Sequence, residues 1–395
     1  MEKLTSRERV IRALNHQETD RVPIDIGGIS NLTTMHKNAY KKLQNYFGRE
    51  GELIKLSSTL SQSVEVDEWV RKKFHADCYP VYITGPNENE LKPNSDEDGS
   101  VWFIDEWGIK WKCPADGLYY EPIDPPLKEL SLKELQNYPW PDPDSDKNIE
   151  GLSEKVRDIY ENTEYAIVCG GPLYGGVFVP AQQMIGYEEF FVKLLIEPEF
   201  CTYVMNKIVD YHIGQWGKIL EQCGECIQVA VMGDHLGTQF APLMNLDTYR
   251  ELIKPLQKKV VDFIKSKAPH IKIVFHCDGA IRSFLPDMID VGFDAWNPIQ
   301  VSADGIDDTK WLAEQYGEKI CFWGGSCDSQ TILATATPEE IKEEVEKRIN
   351  DMAHRGGLIM SSIHNLQENI PLENIIALYE AFYEKGVKFY EQKRK

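Results

Sequence analysis

The chain has 395 residues, 42% of them apolar, enough for one large α/β barrel or two domains of average size. Its formal net charge of −20 argues against nucleic acid as a partner, since phosphate binding needs a basic surface. No apolar run is long enough to span a bilayer and the N-terminus has no apolar signal region, so the nine cysteines are read as mostly free thiols of a cytoplasmic protein.

The chain opens on Thr5-Ser-Arg-Glu8, a capping box that predicts a helix reaching about Asn15. Val22–Ile26, closed by Gly27 and Gly28, reads as a first strand. Residues 29–160 are less regular and are read as an elaborated insertion or N-terminal lobe. They hold helical segments at 35–47 and 64–74, and an alternating aromatic run from Val101 to Trp111 typical of a hairpin. That run either lines a pocket for a planar group or packs as a plain hairpin.

From residue 165 the pattern becomes strict. Strands are predicted at 165–170, 227–233, 271–277, 295–299, 320–324 and 358–363. Helices follow at 186–196, 198–222, 247–267, 280–290, 307–316, 338–354 and 371–390. Repeated β–α alternation with short links predicts a parallel sheet. Adding Val22–Ile26 and one strand hidden in the insertion gives a (β/α)8 TIM barrel spanning 1–395, with an open doubly wound sheet as the alternative. No Gly-x-Gly-x-x-Gly follows any strand, which weakens a dinucleotide-binding reading.

The chemistry concentrates where strands end. Ile271-Lys-Ile-Val-Phe-His-Cys-Asp-Gly279 puts His276 and Asp278 on one face with Val274, and Ile273, Phe275 and Cys277 on the other. In a barrel the site lies at the C-terminal strand ends. The candidates there are Asp25, Asp234, His235, Gln239, His276, Asp278, Asn297, Gln300, Cys327, Asp328, His364 and Asn365. His276, Cys327 and His364 each lie one loop past a strand and can converge on one zinc, with Asp278 as a further ligand or as the group that orients one. The plainer reading makes them hydrogen-bonding pocket residues. Cys277 is a rival ligand that faces away. Cys223-Gly-Glu-Cys226 has no second pair and falls in a helix-to-strand loop at the other end of the barrel. Asp234 serves as acid, base or anchor, or merely caps a turn. Asp25, Gln239, Asn297 and Gln300 are the candidates for substrate binding.

Taken together, these segments resemble the uroporphyrinogen decarboxylase superfamily, in particular its corrinoid-linked methyltransferases. The resemblance is carried by Thr5 to His16 with Asp20-Arg-Val-Pro-Ile24, by Gly233-Asp-His-Leu-Gly-Thr-Gln239, by Ile253-Lys-Pro255 and by His276-Cys-Asp-Gly279. Asn297-Pro-Ile-Gln300, Trp323-Gly-Gly325, His364-Asn-Leu-Gln367 and Pro371-Leu-Glu-Asn374 complete it. It implies a (β/α)8 barrel and suggests a homodimer. Two departures matter. Asp25-Ile-Gly-Gly-Ile-Ser-Asn31 has no Arg where the decarboxylases carry an Arg-rich segment, and the carboxylates of a porphyrinogen need cationic partners. Asp278 stands where the thiol-directed methyltransferases have Cys, a harder ligand set suited to an oxygen substrate.

The resemblance therefore implies a zinc-dependent methyltransferase. It would move a methyl group between a small donor, with an aryl methyl ether as one candidate, and the cobalt of a corrinoid (cobalamin) carried by a separate protein. Asp234, His235 and Asp278 would be its catalytic residues, and His276, Cys327 and His364 its zinc ligands. Transfer to a thiol or folate, metal-free decarboxylation of a smaller acid, and a binding protein without chemistry are the alternatives.

Overall fold

The computed structural model describes residues 3–83 and 93–395. Seven parallel strands form its centre: β1 (Cys78–Tyr82), β2 (Ala166–Gly170), β3 (Val229–Gly233), β4 (Lys272–His276), β5 (Ala295–Asn297), β6 (Cys321–Trp323) and β7 (Leu358–Ile359). Each pairs with its neighbour in chain order, as consecutive βαβ units require. The remaining gap, between β7 and β1, is filled by the extended segment around Ile24. Ile24 bridges Met360 in parallel, and its carbonyl accepts from Asp77 N–H at 2.7 Å on the other side. The sheet thus curls into a TIM-like barrel of eight positions. The predicted first strand is reduced to this one bridge, and the strand hidden in the insertion is β1.

The barrel interior follows from the two-residue period. Val274 lies in one buried cluster with Val168, Val229, Val231, Ala295, Cys321, Trp323 and Ile359. Ile273, Phe275 and Cys277 belong to the outer cluster, packed under the helices. The capping box is present, and α1 (Ser6–Leu14) sends Val10, Ala13 and Leu14 into the interior cluster. Arg9 ties α1 to Asp77, just ahead of β1, with an ion pair of 2.6 Å between two buried groups. α1 therefore covers the end at which the strands begin, and the other end is left for a site.

The outer layer includes α2 (Pro198–Cys223), α3 (Lys254–Lys267), α4 (Pro338–Met352) and α5 (Leu372–Lys393), near their predicted positions. β5 stops at Asn297 rather than Ile299, because Pro298 has no N–H to continue the ladder. In the 29–160 stretch, Val101–Ile104 and Lys110–Cys113 pair as the expected hairpin, within a four-stranded antiparallel sheet that ends at Ile123. Trp107 and Trp111 are buried in it, with Trp107 edge-on to Tyr211, so the aromatic run packs the sheet and does not line the site. No helix among the described residues is long and apolar enough to cross a membrane.

Candidate metal centre

β4 and β7 deliver the central side chains. His276 is the last residue of β4, and Asp278 follows on the same face. His364 lies past β7, with φ of 62°, a left-handed conformation that costs a non-glycine residue about 1–3 kcal/mol. One ligand atom each from His276, Asp278 and His364 lies within 4.8 Å of the others. The imidazole rings are 5.7 Å apart.

Each histidine is oriented through its Nδ1. His276 Nδ1 is 2.6 Å from Asn297 Oδ1, while Asn297 Nδ2 donates to the Trp323 carbonyl at 2.8 Å. A carbonyl only accepts, so the amide orientation is fixed and His276 must carry its proton on Nδ1. Its Nε2 then faces Asp278 Oδ2 at 3.1 Å. His364 repeats the device: Nδ1 lies 2.6 Å from Asn365 Oδ1, and Asn365 is anchored by Nδ2 on Ser63 Oγ at 2.9 Å. With Nδ1 so engaged, Nε2 is the atom each ring can offer a metal, although in His276 it is paired with Asp278 here, and a hydrogen-bonded Nδ1 is the arrangement that holds histidines on metals. Two imidazoles and a carboxylate form a donor set that fits zinc with one position open.

The electrostatics agree. Burial alone would lower the His276 pKa, but the Asp278 charge and hydrogen bond reverse this and raise it. Burial would raise Asp278, yet the surrounding histidines hold it well below the usual carboxylate range. His364 is lowered by burial, against the pull of Asp278. His235, half exposed with Nδ1 3.9 Å from Asp278 Oδ2, is likewise lowered by burial.

Other predicted residues take different places. Cys327 is 1% exposed and does not join the cluster; its thiol contacts the Asp328 carbonyl and is pushed up to about 12 by burial, with Glu344 and Arg348 of α4 as its charged neighbours. The cause is Gly324-Gly325, whose φ values of 124° and 64° break the alternation past β6. A Cβ at Gly324 would meet the Pro298 carbonyl oxygen, so only glycine fits there. Asp328 turns back on its own loop and accepts from Gln330 N–H at 2.8 Å.

Asp234 lies outside the cavity. Its Oδ1 accepts from the N–H groups of Phe178 and Val179 at 2.9 and 3.0 Å, and its Oδ2 accepts from Gln257. It caps the helix Phe178–Ile185, and burial raises its pKa to about 6. Asp25 is fully buried and accepts from Gly28 N–H, Thr33 Oγ1 and Trp323 Nε1; burial raises it to about 6 as well. Neither carboxylate lines the cavity over the cluster, nor does Asn297, whose amide serves His276. Cys223 and Cys226 are buried and unpaired by disulfide at the turn before β3.

A cavity of about 580 Å³ opens over the cluster. His235, Gln239, Asp278, Gln300, His364 and Asn365 line it, as expected from the sequence. So do Tyr119, Gln330, Gln367 and Asn369, which were not singled out as candidates. Gln367 stood in a quoted motif. Tyr119 lies in the irregular stretch, where no periodicity marks it. None of the described lining residues is Lys or Arg.

Residues 118–385 match the model of the family described as uroporphyrinogen decarboxylase (URO-D). A uroporphyrinogen decarboxylase of Alkalilimnicola ehrlichii is 20% identical over 396 residues, covering 98% of this chain and 96% of its own. One from Chlorobium limicola is 27% identical over 198 residues, covering 49% and 52%. Among solved structures, a methyltransferase from Methanosarcina mazei shares the fold with a TM-score of 0.65 at 16% identity, over 96% of this chain and 99% of that one.

Proposed function

The chain belongs to the uroporphyrinogen decarboxylase (URO-D) family, and we propose that within it this protein is a zinc-dependent methyltransferase. It would move a methyl group between a small donor, such as an aryl methyl ether, and the cobalt of a corrinoid held by a separate protein in the cytoplasm. The observation that carries this reading is the convergence of His276, Asp278 and His364, the last two of which line the cavity. Those three residues would hold zinc through two Nε2 atoms and a carboxylate oxygen. When bound, zinc supplies Lewis acidity toward an oxygen of the donor.

The chain's own groups do the rest. Asn297 and Asn365 fix the two ring planes, so that the Nε2 lone pairs converge without a search over rotamers. Asp278 carries the negative charge that offsets a cation. His235 is neutral near pH 7, and its imidazole offers one N–H to a leaving oxygen and one lone pair to a proton. A polycarboxylate substrate is disfavoured, because the described lining residues provide no cationic side chain and one fixed anion.

The test is methyl transfer to free cob(I)alamin from a panel of methyl ethers, followed by absorbance. Protein-dependent methylation that disappears in His276→Ala supports the reading. Carbon dioxide release from acidic substrates, with no methylation in either direction, would reject it.

A further inference from the structure

The cavity wall has a chemical bias. Six of its residues are primary amides: Gln239, Gln300, Gln330, Asn365, Gln367 and Asn369. Several already bind one another. Gln300 Nε2 donates to Gln239 Oε1 at 2.9 Å, Gln330 Nε2 donates to the same oxygen at 3.3 Å, and Gln300 Oε1 accepts from Gly279 N–H at 2.8 Å. The wall is thus held in place before any ligand arrives. Its one fixed charge among the described residues is the Asp278 carboxylate.

Tyr119 faces this wall from the insertion. Its hydroxyl oxygen accepts from Gln367 Nε2, which also donates to Asn365 Oδ1 at 3.0 Å. A phenol that accepts from an amide N–H keeps its own proton to give. Gln367 Oε1 is buried with no partner in the chain. The wall therefore has a donor and an acceptor to spare, close to Asn365 and so to His364.

Building on the methyltransferase reading above, we propose that the cavity takes an uncharged small molecule bearing hydrogen-bonding oxygen or amide groups, and that Tyr119 is one of the residues that bind it. Away from the metal, an anionic group would lie against the amide wall, lose its hydration and find no cationic side chain in return. A neutral ligand exchanges water for amide and phenol partners at little cost.

Calorimetric titration of the full chain at pH 7, freed of metal by chelator so that no carboxylate can ligate zinc, tests this with two matched pairs. The first pair is 4-hydroxy-3-methoxybenzyl alcohol against 4-hydroxy-3-methoxybenzoate; the second, lacking a methyl ether, is benzamide against benzoate. The neutral member is expected to bind at least about tenfold tighter in any pair that binds, one charge-assisted contact being worth about that factor. Tyr119→Phe should weaken the neutral ligand by about 3- to 10-fold with an unchanged melting curve, and Gln330→Lys should strengthen the carboxylate. Binding of the second pair alone would reject the methyl ether and leave the neutral class standing. Equal or tighter carboxylate binding, no binding by any of the four, or indifference to both substitutions would overturn the proposal.

Discussion

Asn297 Oδ1 sits 2.6 Å from His276 Nδ1, across the β4–β5 pair in which the two residues are in register. Because Asn297 also donates to the Trp323 carbonyl, three consecutive strands set the direction of one imidazole. Asn297→Ala should leave the ring free to turn and its Nδ1–H unpaired. Zinc affinity is expected to fall about 10- to 100-fold, read by competition with a coloured chelator. Unchanged affinity would mean that the ring is held by something else.

Cys327 makes the opposite prediction. It packs toward α4, away from the cluster, so Cys327→Ala should keep the zinc stoichiometry of the parent. The loss of one buried sulfur should cost about 1–2 kcal/mol in a denaturant melt. A variant that folds but loses its metal would return the thiol to the ligand set.

Asp234 is expected to matter for folding rather than for binding. Asp234→Ala uncovers the helix N–H groups at Phe178 and Val179 and leaves Gln257 Nε2 without its acceptor. The cost should be about 1–3 kcal/mol in denaturant unfolding, with ligand affinity per folded molecule unchanged. A normal melt with lost binding would contradict the cap.

Asp25 gives a pH dependence. Its folded pKa of about 6 lies above the value of roughly 3.9 expected in the unfolded chain. A raised acid binds more protons when folded, so its contribution is full below about pH 4 and is lost as pH rises through 6. In Asp25→Asn that loss is absent. The penalty of the substitution should therefore shrink between pH 4 and pH 7, by on the order of 2–3 kcal/mol. Melting curves of parent and variant across that range check the sign; a penalty that grows with pH would refute it.

Much of the barrel was legible because buried parallel strands and amphipathic helices repeat on fixed periods. The same period correctly put His276 and Asp278 on one face. Asp234, by contrast, was expected at the site as a catalytic residue, although the same period in β3 sets it opposite Val231, on the outer side, where it caps a helix. Three features escaped. β1 carries Pro80 in its middle, a residue that argues against a strand in sequence. Past β6 the glycine pair at 324 and 325 ends the alternation, so Cys327 could not be placed from spacing. Tyr119 reaches the site through long-range packing of the insertion, which leaves no local pattern.

The central claim rests on three side chains meeting at one ion. It is tested most directly by the zinc content of the full chain, purified without chelator, beside His276→Ala, His364→Ala and Asp278→Asn. The account predicts about one zinc per chain in the parent, loss in both histidine variants, and weakened retention in Asp278→Asn, since a catalytic site holds zinc by about three protein ligands. Full zinc retained by folded His276→Ala and His364→Ala, or a parent that takes up no zinc when it is offered, would contradict it.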